Sequence, residues 1–276
     1  MRVLELHASV RAVQRSSGRT APAAAAYRSA SRIECERTGQ VHDYTRKQGV
    51  EATALLLPPG APAWAQDRAA LWNAAELREK HPRARPAREI EVGFPQEFNA
   101  GQRRAAGLAV AQLIVDRYGA VADVAWHAPG PQGDDRNYHC HVLFTTRGFE
   151  NGDWSKTKNR ALDDIHGGRE EIRHLRQAVA DIFNAIAARD RLNICVEHRS
   201  FADRGLDREP TQHLGPIATQ MERRGTRSDI GDENRKIEKR NHRRQQLHAE
   251  HRSISAAIQR ESGSRGHRAL PARYAY

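Results

Sequence analysis

The 276-residue sequence predicts a mixed α and β fold in which the central strands are antiparallel. Helical and alternating apolar patterns succeed one another along most of the chain, and this alternation alone would favour a parallel α/β sheet. Two apolar runs, Val121–Ala128 and His139–Thr146, are however joined by a loop rich in Gly, Pro and Asp, which is the pattern of a β-hairpin. Because a hairpin pairs its strands antiparallel, we expect antiparallel neighbours at the centre of the sheet.

The other elements are predicted from the spacing of their apolar residues. The chain begins with an alternating strand, Val3–Val10, followed by an alanine-rich helix, Ala21–Ser31, that has Pro22 in its first turn. The further strands are Val50–Leu57, Arg88–Phe94 and Ile194–His198. The further helices are Trp64–Glu79, Asn99–Tyr118 and one that begins at Ala161 or Arg169 and ends at Arg189.

The composition divides the chain at about Pro216. We expect one domain over residues 1–216, a charged helical extension over 217–262 and a flexible tail over 263–276. The extension carries six Lys or Arg between Arg235 and Arg244 and lacks a broad apolar stripe, so an exposed helix is expected. The pattern leaves open whether this helix is merely solvated, lies on a polyanion or joins the domain to a further partner.

The charge and the cysteine content narrow the class of protein. The formal net charge is +11 and the pI about 10.1, which favours a polyanionic partner, usually nucleic acid. No apolar run is long enough to span a bilayer, and the N-terminus lacks the apolar core of a secretion signal, so we expect a cytoplasmic protein without membrane insertion. Cys35, Cys140 and Cys195 are scattered, which predicts neither a disulfide framework nor a cysteine zinc site.

Three histidines in the predicted hairpin form a candidate metal site. His139 and His141 are two residues apart on one strand, so they lie on the same face, while Cys140 lies on the other. The hairpin would bring His127 beside them, and three neutral imidazoles leave open coordination positions, as a catalytic metal needs. The alternative is a strand that merely exposes imidazoles, since the chain contains 14 His.

Two acidic residues and a tyrosine could complete such a site. Glu89 and Glu91 alternate with apolar residues on a predicted strand, and from there a carboxylate could orient a ligand histidine or accept a proton. The alternative is a solvent-facing pair with Arg88. Tyr27 lies in the alanine-rich helix, where it is either a core aromatic or a nucleophile; because the pKa of a phenol is near 10, the latter needs a nearby cation or base.

Several ordered motifs resemble those of the MobA/MobL family of plasmid mobilisation relaxases. The N-terminal motif is residues 14–28, QRSSGRTAPAAAAYR, and shorter motifs follow at 42–47, 62–64, 71–73 and 87–91. The histidine region matches at 127–130 and 133–141, and a closing motif at 199–205 and 212–216. The resemblance covers the chain to about residue 216, and motifs in this order are more specific together than any one alone.

The resemblance implies an α+β fold with a central antiparallel sheet flanked by helices, the palm of HUH endonucleases and relaxases. It implies that Tyr27 is the nucleophile and that Glu89 and Glu91 are supporting acids. Tyr44 and Tyr138 are rivals for the tyrosine role, and the motif around Tyr27 ranks it above both.

The resemblance also implies a cofactor. His127, His139 and His141 would hold a divalent metal ion, for which Mn²⁺ or Mg²⁺ is expected first and Zn²⁺ or Ni²⁺ are alternatives.

The implied reaction is a site- and strand-specific nick at the transfer origin of a plasmid, which initiates conjugative mobilisation. Tyrosine transesterification would leave a 5′-phosphotyrosine link and a free 3′-hydroxyl. The implied partners are plasmid DNA at the origin, as a single strand plus duplex flank, accessory mobilisation proteins and a type IV secretion coupling protein. The residues expected to bind DNA are Arg15, Arg19, Arg28, Arg46 and Lys47.

Two other functions stay open at this point. A rolling-circle replication initiator shares the histidine and tyrosine chemistry. A DNA-binding module with a structural metal would bind without catalysis.

Overall fold

The computed structural model describes residues 1–130, 134–164 and 167–265, and it divides the chain into two compact units. The first unit is residues 1–198 and the second begins at Arg199. Part of the loop between the two histidine-bearing strands, and the predicted flexible tail from residue 266 onward, lie outside the described residues.

The first unit contains ten strands and four helices among the described residues. The strands are β1 (Arg2–Glu5), β2 (Ala8–Val13), β3 (Arg32–Cys35), β4 (Gln40–Asp43), β5 (Val50–Leu56), β6 (Ala87–Gly93), β7 (Ala120–His127), β8 (His139–Glu150), β9 (Asp153–Trp154) and β10 (Ile194–Glu197). The helices are α1 (Ala21–Ser29), α2 (Arg68–Arg78), α3 (Ala100–Tyr118) and α4 (Gly167–Arg189).

The main sheet has the order β2-β6-β8-β7-β5, and every neighbouring pair in it is antiparallel. β8 lies at its centre, between β6 and β7, and β9 pairs with the far end of β8. The prediction of a central antiparallel sheet is therefore confirmed, and so is the hairpin that led to it.

Helices cover both faces of this sheet because the strand residues alternate between two apolar cores. Val142 and Phe144 of β8 belong to the core that α3 and α4 cover. Leu143, between them, belongs to a second core that contains Ala25 of α1 and Trp72 of α2. Polar residues on the second face are therefore close to α1, the helix that carries Tyr27.

α1 has well-defined ends. The Thr20 side chain accepts a hydrogen bond from the Ala23 backbone N–H, and Pro22 occupies the first turn, where its missing N–H costs nothing. The helix ends at Ser29, two residues before the predicted end, because Ala30 adopts a left-handed conformation with φ 51°.

One strand prediction for the first unit was wrong, and one hairpin was not predicted. The predicted strand Val3–Val10 is two strands, since β1 pairs in parallel with β10 in a separate sheet, whereas β2 joins the main sheet beside β6. The change of partner occurs at Leu6 and His7: the Leu6 N–H donates to a β10 carbonyl and the His7 carbonyl accepts from Gly93. The hairpin that was not predicted is β3–β4.

The second unit contains two helices among its described residues, α5 (Gly215–Arg223) and the long α6 (Asp229–Arg265). The segment before α5 is fixed to α6, because Asn241 bonds to the backbone of Glu209 and Asn234 to that of Gln212. The second unit therefore includes this segment. Within the described residues, no helix is both long and apolar enough to cross a membrane.

Candidate functional site

The three histidines meet at one end of the main sheet. His127 is the last residue of β7 and faces His139, the first residue of β8, across the ladder, while His141 lies on the same face one pleat further. The centres of the three rings are 4.7 to 5.2 Å apart. One nitrogen from each ring lies within 4.8 Å of the others, so the side chains can share one ion.

Hydrogen bonds determine which nitrogen each ring offers. His139 Nδ1 contacts the Asn137 carbonyl at 2.9 Å, and His141 Nδ1 contacts Glu89 Oε1 at 2.6 Å. Carbonyls and carboxylates only accept, so these Nδ1 atoms carry the protons and the Nε2 atoms keep their lone pairs. In His127 the pattern is reversed, because Nε2 donates to the Arg28 carbonyl at 2.8 Å and leaves Nδ1 as the acceptor.

Burial favours the neutral form of His127 and His139. It lowers the pKa of His127 to about 3, and it lowers the pKa of His139 as well. A neutral imidazole presents a lone pair without first losing a proton. The donor set thus fits a divalent ion with three imidazole ligands and positions left for other ligands.

Glu89 is a buried carboxylate behind His141. Its side chain is 4% exposed, and both of its oxygens accept hydrogen bonds from the guanidinium of Arg28. Burial alone would raise its pKa, but the hydrogen bonds from His141 and Arg28 outweigh it and hold the pKa at about 2. Glu89 is therefore ionised and orients His141, an arrangement common behind metal-bound histidines.

Glu91 lies on the same face of β6 but is more open. It is the register partner of His141, and its closest ion-pair contact is with Arg11 at 3.7 Å. The two carboxylates therefore share a face, as their spacing predicts, but their surroundings differ.

Tyr27 is 47% exposed near the C-terminal end of α1. Its ring and that of Tyr44 form a T-shaped pair, with centroids 5.2 Å apart and planes at 88°. Lys47 Nζ lies 3.8 Å from the ring centroid and donates a hydrogen bond to the Tyr27 carbonyl at 2.8 Å. Burial, with a smaller contribution from Arg28, lowers the pKa of Lys47 to about 8.

Arg28, the residue after Tyr27, joins this helix to the histidines. Its carbonyl accepts the proton of His127, and its guanidinium holds Glu89, which in turn orients His141. The tyrosine-bearing turn is thus hydrogen-bonded to His127 through the Arg28 carbonyl and, through the Arg28 side chain, to Glu89, which supports His141.

The basic residues expected to bind DNA divide into two groups. Arg19 and Arg46 are exposed. Arg28 is committed to Glu89, and Arg15, with a side chain 7% exposed, forms an ion pair with the fully buried Glu76. The guanidinium of Arg15 also donates to the backbone carbonyls of Glu76 and His81, so it stabilises the fold and offers nothing to a phosphate.

The rival tyrosines lie in different places. Tyr44 contacts Tyr27 and packs on the α1 side of the sheet. Tyr138 packs against the opposite core, with the Arg103 guanidinium 3.7 Å from its ring centroid. Tyr138 therefore lies on the face of the sheet opposite the imidazoles.

The contacts of Tyr44 and Lys47 with Tyr27 were not predicted from the sequence. The β3–β4 hairpin folds back beside α1, and the Tyr44 N–H donates to the Ser31 carbonyl at 3.1 Å. A signal was present, since Gly39 supplies the left-handed residue of the turn, with φ 70°, between two short alternating runs.

The chain is similar to known proteins in sequence and in fold. The profile of the MobA/MobL family matches residues 19–224. The chain belongs to the MobA/MobL family. Among MobA/MobL relatives, it is 38% identical over 255 residues to Mobilization protein MobL of Acidithiobacillus ferridurans, covering 83% of this chain and 65% of the relative. It is 34% identical over 277 residues to Probable mobilization protein MobA of Bifidobacterium longum (strain NCC 2705), covering 85% of this chain and 47% of the relative.

The MobA/MobL chain therefore spans less than two thirds of either relative. Its fold also matches a solved structure described as "Molecular Basis of Vancomycin Resistance Transfer in Staphylococcus aureus". That match has a TM-score of 0.63 and 25% identity, and it covers 71% of this chain and 100% of the other.

Proposed function

We propose that this chain is the relaxase domain of a plasmid mobilisation protein, which nicks one DNA strand at a transfer origin. The observation that carries the proposal is the junction at Arg28, where the tyrosine-bearing turn meets three imidazoles with fixed lone pairs. Family membership and the printed names of the mobilisation relatives support the same function.

The proposed reaction is a transesterification. The Tyr27 hydroxyl attacks the scissile phosphorus, a bond forms between the phenolic oxygen and phosphorus, and the bond from phosphorus to the 3′-oxygen breaks. The products are a 5′-phosphotyrosine and a free 3′-hydroxyl. The reverse reaction can rejoin the strand because one phosphodiester bond has been exchanged for another. His127, His139 and His141 would hold a divalent ion, Mn²⁺ or Mg²⁺ first, which supplies positive charge for the non-bridging phosphate oxygens.

The proton of the phenol needs an acceptor. Glu89 is a poor one, since its pKa is about 2 and its oxygens already accept from Arg28 and His141. Glu91 shares its face, and its one ion pair among the described residues is the longer contact with Arg11, so we assign the proton to Glu91 and a positioning role to Glu89. Lys47, over the Tyr27 ring, would offset the charge of the phenolate.

We propose fewer DNA-binding residues for this domain than the sequence predicted. Arg19 and Arg46 are exposed and can meet backbone phosphates, and Lys47 lies beside the nucleophile. The single strand and duplex flank of the origin, accessory mobilisation proteins and a type IV coupling protein are the partners we propose for the complete protein.

A nicking experiment tests the proposal. Supercoiled plasmid carrying the cognate origin is incubated with Mn²⁺ and the wild type, Tyr27→Phe or Tyr44→Phe, and covalent protein–DNA adducts are counted on denaturing gels. We expect adducts for the wild type and for Tyr44→Phe, and none for Tyr27→Phe.

Other outcomes would identify a different protein. Adducts lost only in Tyr44→Phe would assign the nucleophile to the rival, and binding without nicking in all three proteins would indicate a non-catalytic DNA-binding module. If plasmid replication rather than transfer depends on Tyr27, the chain is a rolling-circle initiator.

A further inference from the structure

A basic cavity lies at the opposite end of the main sheet from the histidines. Its volume is about 710 Å³, and five cationic and three acidic side chains line it, together with His81. The cations are Arg83, Arg85, Arg147, Lys158 and Arg160. We call it the distal basic cavity.

The cavity and the histidine site share one face of β8. Leu143 and Phe149 of β8 both pack in the second core, on the same face of the strand as His141. Arg147 bonds to Glu79 at the end of α2, so it lies on that face as well. At ~3.3 Å per residue the separation between His141 and Arg147 is roughly 20 Å.

The acidic side chains hold part of the cavity wall in place. Glu79 accepts from Arg147 at 2.7 Å and from Lys158 at 2.8 Å, and the Arg147 guanidinium also donates to two backbone carbonyls. Asp163 pairs with Arg85 at 2.5 Å and with Arg88. These cations are fixed by the fold before any ligand arrives, which reduces the entropy lost on binding.

Two guanidiniums are left over. Arg83 and Arg160 are exposed, and in the part of the chain that the structure describes their side chains have neither a hydrogen bond nor an ion pair. Five cations against three carboxylates leave the lining with a positive charge that a ligand can neutralise. The chemistry points to phosphate groups, which guanidiniums bind through paired hydrogen bonds.

The residues that line the cavity distinguish among phosphate ligands. No Phe, Tyr or Trp is among the described residues that line the cavity, so it offers no ring on which a base could stack. A nucleic-acid backbone needs no such ring, and its phosphate contacts carry no sequence information.

We propose that the distal basic cavity is a second DNA-backbone site, which binds phosphates roughly 20 Å from the nicking centre. The choice of DNA as the ligand rests on the proposed function, whereas the geometry and charge of the cavity do not. Two contacts held on one rigid strand would fix how far the DNA extends past the scissile phosphate.

The test measures binding without cleavage. Fluorescence anisotropy of a labelled 25-base-pair duplex of arbitrary sequence is followed from low to high NaCl with EDTA present, for the full chain and for Arg83→Ala/Arg160→Ala. Loss of two phosphate contacts should reduce the slope of log K against log salt by about 1.8 and weaken binding about tenfold at 0.15 M salt. Both residues are exposed and unpaired, so the variant should unfold at the wild-type temperature.

The matched control is Arg173→Ala/Arg189→Ala, which removes the same charge from two exposed positions on α4, on the other side of the sheet. We expect its salt slope to stay close to that of the wild type. Equal slopes for both double variants would overturn the proposal. So would calorimetric binding of ATP that is lost in Arg83→Ala/Arg160→Ala while its DNA binding is unchanged, because the cavity would then be a nucleotide site. Neither result depends on whether Tyr27 forms an adduct.

Discussion

The charge on Glu89 supports the metal site, and its removal should weaken metal binding. Glu89→Gln keeps an oxygen that can accept the His141 Nδ1 proton but removes the negative charge that faces Arg28. Because a carboxylate behind a ligand histidine raises the basicity of that ring, we expect the variant to bind Mn²⁺ more weakly than the wild type.

Glu89→Gln should change two quantities, the affinity for Mn²⁺ and the free energy of unfolding. Loss of an outer carboxylate typically weakens metal affinity about 10- to 100-fold, or ~1.4 to 2.8 kcal/mol. The free energy of unfolding should fall by about 3 kcal/mol, the lower end of the range for breaking a buried ion pair. We take the lower end because the Arg28 side chain is still 16% exposed and keeps its bond to the Ala24 carbonyl at 2.9 Å.

Isothermal titration with Mn²⁺ at about pH 7.5 gives the affinity, and denaturant unfolding without metal gives the stability. The matched control is Asp123→Asn, because Asp123 is also buried, accepts two bonds from Arg68 and takes a third from Trp72. It should lose comparable stability and keep its Mn²⁺ affinity. Wild-type affinity in Glu89→Gln, or an equal loss in Asp123→Asn, would refute the reasoning.

Three other perturbations test separate parts of the chain. Lys47→Met should slow formation of the covalent DNA adduct about 2- to 30-fold, because a cation held over an aromatic ring contributes ~0.5–2 kcal/mol. Lys47→Arg keeps the cation and should keep most of the rate. Equal rates in the wild type and both variants would exclude a role of the Lys47 charge in adduct formation. Gly107→Ala should lower the free energy of unfolding by about 1–3 kcal/mol, because the added Cβ would lie 2.3 Å from Trp126 Nε1; a gain in stability, as helix propensity alone predicts, would contradict this packing. Hydrogen bonds, chiefly from Arg235, hold the pKa of Glu222 at about 2, so its contribution to stability is complete above pH 4.5 and lost as the pH falls towards 2. The helical circular-dichroism signal should therefore fall less over this range in Glu222→Gln than in the wild type; parallel curves would argue against the contribution.

The sheet and the imidazole cluster could be predicted because both follow from local periodicity. Alternation along a strand determines the face of each residue, so His139 and His141 had to point the same way, and Glu89 with Glu91 had to oppose Ile90. The short turn-rich loop then placed His127 beside them. Register and hairpin geometry needed no information from distant parts of the chain.

The features that the sequence did not reveal depend on distant partners. A single alternating run conceals the point where the backbone changes partner, since Leu6 bonds to β10 and His7 to the main sheet. The choice of imidazole nitrogen depends on the carbonyl of Arg28, 99 residues from His127 in sequence. Arg15 looked like a DNA contact because its buried partner, Glu76, is 61 residues away.

The buried partner of Arg15 also explains how the tyrosine-bearing helix is held. Glu76 accepts from Arg15 at 2.7 Å, from Arg37 at 2.8 Å and from the Ala21 N–H at 2.8 Å, so a carboxylate of α2 lies at the positive end of the α1 dipole. At the other end of α1, the guanidinium of Arg28 reaches a carboxylate of the sheet. Both ends of a nine-residue helix are thus bound to buried carboxylates, one on each neighbouring layer. The backbone position of Tyr27 relative to the imidazoles is therefore fixed by the fold, which in the proposed reaction would lower the entropy cost of aligning the phenol with a phosphate.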